Sequence, residues 1–502
     1  MRARLGMLLA AALAAPLPSM AQETAPQTLG QITPEIDALF AKYQADAHIP
    51  GMVYGVVRDG KLAYVKGIGV QNLDDKSAVT ADSRFRIASM TKAFTALAIL
   101  KLRDDGKLRL DDLAEDHVPE MKGWVYPTKD SPRIRIRDLL HHVGGLVTDD
   151  PWGDRQQILS QDAFTKMIAA GVPFSRVPQS AHEYSNYGYA LLGRIIANAS
   201  GMAYTDYIQR TILTPLGMTS SGFDVTKTPK AVYARGYRWE NDAWSPEPEM
   251  IDGAFNAMGG MQVSASDYAK WVAFLLAAWP ARDDADTGPV KRATVREMAQ
   301  GLNFVTVANR IGASGATACK QAAAYAMGWR VAQDCDLGLT LAHGGGYPGY
   351  GSHVMLMPDH GVGVFALSNR TYAGPSAPAW DSAVAMDKAG LLTGRAVPIT
   401  PAVADAYAAA RAAYAAGNLA PLDGKLAMNF LLDRSAANWA AEFARLKSEV
   451  GDCPTAEPLN PTGAMSATFR LNCSKGQLDG ALLLAPTTPA TVQALRFRVV
   501  TP

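Results

Sequence analysis

Two strand-like runs stand near the start of the chain, the apolar Met52 to Val57 and the more mixed Leu62 to Lys66. The polar, Gly-containing junction Arg58-Asp59-Gly60-Lys61 predicts that they form a β-hairpin. Residues 22–35, polar and Pro-containing, read as a flexible lead-in. A long helical and loop-rich stretch follows to about residue 300. It includes an apolar helical run from Ala93 to Leu102, a second over Tyr187 to Ala199, and a third over Ser266 to Ala278 with Ser266-Asp267 as its cap. Strand patterns then return at Tyr325 to Ala332, Leu337 to His343, His353 to Met357 and Val362 to Ser368, with Pro358-Asp359-His360-Gly361 as the last turn. Strands at both ends around a helical middle predict one antiparallel sheet assembled from distant segments, with the helical middle as a second lobe and a cleft between them.

Beyond Arg395 to Pro401, a linker-like stretch, Ala-rich helical runs extend to about Val450. Three short strands come next, Ala467 to Cys473, Leu478 to Leu484 and Val492 to Val500. The expected organisation is a leader over 1–21, a main domain over 22–395 and a small α+β domain over 401–502.

Composition narrows the partners. A formal net charge of +1 with 48% hydrophobic residues gives no electrostatic reason to expect nucleic acid or an anionic membrane. Arg2 and Arg4, the apolar stretch Leu5 to Ala15 and the small residues Ser19-Met20-Ala21 read as a secretory signal cleaved after Ala21. The expected location is therefore periplasmic or secreted, and no segment is long enough to span a bilayer. An even cysteine count in an exported chain suggests disulfides. The pairs Cys319–Cys335 and Cys453–Cys473 are the simplest of three connectivities. No Cys-x-x-Cys or Cys/His spacing points to a metal.

The candidate chemistry begins at Ser89-Met90-Thr91-Lys92, which opens the Ala93 helix. A Ser and a Lys three apart on a helix stand on one face. There the Lys amine can assist loss of the Ser proton, activating a nucleophile without a histidine triad. On its own the pattern is weak, and a helix cap followed by a solvated lysine is the competing reading until other motifs are counted. Tyr184-Ser185-Asn186 ahead of the Tyr187 helix, and His343-Gly344-Gly345-Gly346 at the end of a strand, add two more motifs in order.

Together these resemble the class C β-lactamase family, whose wider group includes D,D-carboxypeptidases, D-aminopeptidases and β-lactamase-like esterases. Ile136-Arg-Asp-Leu-Leu-His-His-Val-Gly-Gly-Leu146, Pro215-Leu-Gly-Met218 and Gly259-Gly260 support the resemblance, which covers about residues 35–395. It implies an α+β, β-lactamase/transpeptidase-like fold with an antiparallel sheet flanked by helices. It implies Ser89 as the acylated nucleophile, Lys92 as its proton partner and Tyr184 as base and later acid. Asn186, His343, Gly345 and Gly346 would meet the substrate, with the backbone amides of Ser89 and Gly346 as the oxyanion hole. No metal or cofactor is implied.

The family usually carries Lys-Thr-Gly where this chain has His343-Gly344-Gly345. Histidine is largely neutral near pH 7 and glycine has no hydroxyl, so selection for a β-lactam or D-Ala carboxylate loses its usual anchor. Small esters are expected first, D-amino-acid peptides of the cell wall second and β-lactams third. A catalytically silent binder of peptidoglycan or of a partner is the competing class. His141 and His142 read as structural, and Asp111-Asp112 and Asp149-Asp150 as turn and cap residues.

Overall fold

The computed structural model describes residues 27–148, 153–311 and 318–500. The proposed leader and Asp149-Asp150 lie outside these.

Helix α1 (Leu29–Asp46) precedes the hairpin β1 (Gly51–Arg58) and β2 (Lys61–Gly69). Six strands from the later chain complete one antiparallel sheet: β3 (Asn303–Asn309), β4 (Lys320–Tyr325), β5 (Arg330–Asp334), β6 (Gly338–Tyr347), β7 (Tyr350–Met357) and β8 (Val362–Ser368). Their order is β2-β1-β8-β7-β6-β5-β4-β3, so β1 pairs β8 across most of the sequence, with Tyr54 opposite Ala366. The sheet joins the two ends of the main segment, as strand-like runs at both ends imply.

Both faces of this sheet are covered, which is why β1, β7 and β8 read as nearly continuous apolar runs. Met52, Tyr54 and Val56 pack with Ile32, Ile36 and Phe40 of α1 and with Trp380 of a C-terminal helix (Ser376–Lys388). Val53, Val57, Phe365 and Leu367 face the other way, into the core shared with the helical lobe. That lobe includes α2 (Thr91–Asp104), α3 (Asn186–Ser200) and α4 (Ala265–Leu276).

Three expectations are corrected. The lead-in becomes helical at Leu29: Thr28 and Gln31 form a capping box, and Ile32, Ile36 and Phe40 bury one stripe while Pro34 faces solvent. The α4 cap is Ser264, whose Oγ accepts the Asp267 N–H; the Ser266 hydroxyl instead bonds Asp82. The run Tyr325 to Ala332 is strand only at its ends: residues 326–329 form the hairpin turn between β4 and β5, closed by Ala326 N–H to Trp329 O, with Gly328 at φ +79°. Its turn is apolar because Met327 and Trp329 are buried in the core, so the usual polar punctuation is missing.

Residues 401–500 form α5 (Pro401–Ala416), α6 (Ala436–Val450) and a second antiparallel sheet dominated by Ser466–Cys473, Gly476–Ala485 and Thr491–Val500. Their core (Tyr414, Trp439, Phe443, Phe469, Leu478, Leu482) is a cluster of its own. Disulfides join Cys319 to Cys335 and Cys453 to Cys473. No helix among the described residues is long and apolar enough to cross a membrane.

Candidate active site

Ser89 sits on a 3-10 turn (Ala88–Met90) that runs directly into α2. A short ribbon just before it, Arg84–Arg86 paired with Gln262–Ser264, draws the Met258–Met261 segment alongside. Ile87 N–H donates to Met261 O at 3.0 Å, and Met261 N–H donates to Thr91 Oγ1 at 3.2 Å. Ala88 takes φ +49°, a conformation costly for a residue with a Cβ, immediately before the half-buried Ser89.

Lys92 is wholly buried. Its Nζ donates to Ser89 Oγ at 3.0 Å, Asn186 Oδ1 at 2.6 Å and Met258 O at 2.7 Å. The last two only accept, so each takes an N–H from Nζ, and no carboxylate is among these three partners. Nζ also lies 4.8 Å from the centroid of the Tyr184 ring. Ser89 and Lys92 are thus brought together with Tyr184 and Asn186 from a second segment, and Met258 O joins them from a third. Asn186 is buried as the first residue of α3, capped by Ser185 Oγ accepting the Gly188 N–H.

The β6 strand closes the other side. Gly345 is buried, because any Cβ there would run into Ile87 O and Ser352 Oγ. It sets how closely β6 approaches the Ser89 turn rather than facing a ligand with a side chain. Ser352 Oγ donates to Ile87 O at 2.8 Å and pins the same turn to β7. Gly346 is half-buried, and a Cβ on it would lie 2.7 Å from the Tyr372 ring.

His343 is 8% exposed. Its Nδ1–H donates to Gly344 O at 2.7 Å, leaving Nε2 to accept from Tyr325 OH at 2.9 Å. Burial first, and then the nearby Lys92 cation, hold its pKa down to about 4. His343 is therefore neutral near pH 7. Gly344 is exposed, and the position of its missing Cβ has nothing nearer than His353 Nδ1 at 3.7 Å.

A cleft of about 410 Å³ is lined by Tyr184, His343, Gly344, His353 and Trp380, and also by Arg330. Arg330 opens β5 opposite Ala342, one residue from His343. Its half-buried guanidinium has no ion pair or hydrogen bond among the described residues, and burial alone lowers its pKa. By contrast, Arg310 nearby is held by Asp334 and Asp336 at 2.9 Å each. The one signal for Arg330 in the sequence is a cation inside an otherwise apolar run. The only grouping of potential metal ligands among the described residues, Cys319, Asp334, Cys335 and Asp336, is taken up by the disulfide and by Arg310. Asp111 accepts from Arg137 at 2.6 Å and Asp112 accepts the Arg109 N–H at 2.7 Å, as turn residues do.

The family model described as Beta-lactamase matches residues 36–386. The chain belongs to the beta-lactamase family. Within that family, the Staphylococcus aureus (strain N315) protein named "Protein flp" is 30% identical over 348 residues, 67% of this chain and 62% of that protein. This chain thus spans somewhat under two thirds of that relative's length. "Beta-lactamase-like protein 2" of Dictyostelium discoideum is 34% identical over 269 residues, 52% of this chain and 48% of its own. Among solved structures, an octameric penicillin-binding protein homologue from Pyrococcus abyssi aligns with TM-score 0.60 at 20% identity, over 93% of this chain and 99% of its own. A class C β-lactamase aligns with TM-score 0.56 at 20% identity, over 73% of this chain and 98% of its own. At such identity these two speak for the β-lactamase/transpeptidase-like fold alone.

Proposed function

We propose that this beta-lactamase family member is an exported serine hydrolase that cleaves an ester or amide through an acyl-enzyme on Ser89. The observation that carries the reading is the buried Lys92 ammonium, 3.0 Å from Ser89 Oγ and beneath the Tyr184 ring. Tyr184, as phenolate favoured by that cation, takes the Ser89 proton while Oγ attacks the substrate carbonyl. The backbone amides of Ser89 and Gly346 receive the developing oxyanion. The C–O or C–N bond then breaks, and Tyr184 returns the proton to the leaving group. Water enters by the same route in reverse roles and frees Ser89. Lys92 acts as a fixed cation throughout, because its N–H groups already point at oxygen acceptors. The two disulfides support export. A silent binder gives no reason for burying a lysine against a serine.

Neutral His343 gives no cation where the family usually has an ammonium. Arg330, one strand away in the same cleft, supplies one. An acidic group on the substrate is therefore held by Arg330, and the order of substrates drawn from His343 and Gly344 alone shifts toward carboxylate-bearing esters and D-peptides. A panel of nitrophenyl esters with and without a distal carboxylate, D-Ala amides and a chromogenic cephalosporin tests this. Wild type should favour the carboxylate ester, and Arg330→Gln should cut that preference about tenfold, as expected for losing a charge-assisted bond. An unchanged preference contradicts the role of Arg330.

A further inference from the structure

We propose that His142 is a positioning residue that fixes Tyr184 against Lys92 and Ser89. The proposal rests on the proton-carrying role of Tyr184 given above. His142 lies at the end of the Arg137-Asp-Leu-Leu turn, far from Tyr184 in sequence, and is 2% exposed. Its backbone carbonyl accepts the Glu183 N–H at 2.8 Å. Its ring Nδ1 accepts the Ser185 N–H at 3.1 Å. The two amides held are those immediately before and after Tyr184, and the His142 ring itself stands 4.2 Å, centroid to centroid, from the Tyr184 ring. One residue thus grips the backbone on both sides of the tyrosine and backs its side chain.

Two features mark this as more than packing. His142 takes φ +57°, a left-handed conformation uncommon outside Gly, Asn, Asp and His, and that conformation accompanies the grip by both its carbonyl and its ring. Because Nδ1 accepts, the proton resides on Nε2, and Nε2 is buried without a hydrogen-bond partner among the described residues. An unpaired buried N–H and a strained backbone are both unfavourable, and what they secure is the geometry of one residue. Burial and the facing groups Lys92, His182, His343 and His141 all keep the imidazole uncharged, so the acceptor is retained. The same grip orients Ser185, which caps α3, and hence Asn186 beside Lys92.

The test uses His142→Asn and His142→Gly, each alone and with Tyr184→Phe, assayed with 4-nitrophenyl acetate. Asn tolerates positive φ and places Oδ1 where Nδ1 stands, whereas Gly relieves the backbone and offers no acceptor. His142→Asn should keep kcat within about threefold. His142→Gly should lose about a hundredfold in kcat with KM nearly constant, the scale of a misplaced reacting group. In the Tyr184→Phe background the same glycine substitution should change kcat by less than about threefold, because the group it positions is already gone. Backbone amide exchange at 183–185 should rise in His142→Gly and not in His142→Asn. Wild-type kcat in the glycine variant, loss in the asparagine variant as deep as in glycine, or full multiplication with Tyr184→Phe would each overturn the proposal. If Tyr184→Phe itself costs nothing, both this proposal and the catalytic reading fall; if only the His142 variants behave independently, this proposal alone falls. Should His142→Gly not fold, retained or lost kcat in His142→Asn decides.

Discussion

Residues 29–388 and residues 401–500 are both built from an antiparallel sheet and helices, yet they bury different chemistry. Among the described residues, the buried polar and charged side chains all fall between Gln71 and Ser382, including Arg86, Lys92, Asp138, His142, Asn186, His343 and His353. The core of 401–500 consists of aliphatic and aromatic residues such as Val403, Phe443, Leu471 and Leu495. Desolvating polar groups costs free energy unless each finds a partner, so a region that concentrates them is doing something other than folding. The first region spends stability on a site. The second is a plain packed unit, and none of the proposed catalytic roles falls within it.

The largest effect that would break this contrast concerns the proton-transfer unit. Lys92→Ala and Tyr184→Phe should each lower kcat by about a thousandfold, and the double variant should fall little further, since residues acting as one unit are not additive. Steady-state kinetics on the three variants decide it; two independent, multiplying factors would separate the residues mechanistically.

Next comes pH. Burial holds the pKa of His343 near 4 and of His353 near 3, and pushes His142 well down, whereas an unfolded histidine titrates near 6.5. As pH falls below about 6.5, the unfolded chain takes up protons that the native state refuses, so stability present above that pH is progressively lost. At pH 5 this amounts to about 2 kcal/mol each for His343 and His353, and His142 acts in the same direction. The 401–500 segment contains no histidine. Hydrogen exchange resolved by region should show the first region loosening between pH 7 and 5 while the second holds steady. Equal loosening of both would remove the electrostatic side of the contrast.

The smallest effect is expected from truncation after residue 398, which should leave turnover within about threefold because the two cores do not mix. A folded truncation without turnover would give the C-terminal unit a share in the cleft.

Short continuous apolar runs made β1 and β8 readable to within a residue or so, and helical periodicity did the same for α3, because both faces of the strands and a broad face of the helix are buried apolar surface. Ser89, Lys92, Tyr184, Asn186 and the glycine run were legible as ordered motifs. What the sequence hid depends on tertiary contact. The apolar turn at Met327 looks like strand because it is buried, and α1 survives Pro34 because Ile32, Ile36 and Phe40 dock on the sheet. Met258 contributes a backbone carbonyl, which no side-chain pattern can signal. Arg330 and His142 gain meaning only from what lies across from them: an open cleft for one, the amides flanking Tyr184 for the other.

The central claim is that Ser89 is an activated nucleophile, and covalent labelling tests it most directly. Intact-mass and peptide spectra of the full chain treated with a fluorophosphonate should show one adduct, carried by Ser89. That adduct should be absent from a folded Ser89→Ala variant. An unlabelled wild type, or an adduct that persists in Ser89→Ala, would contradict the account.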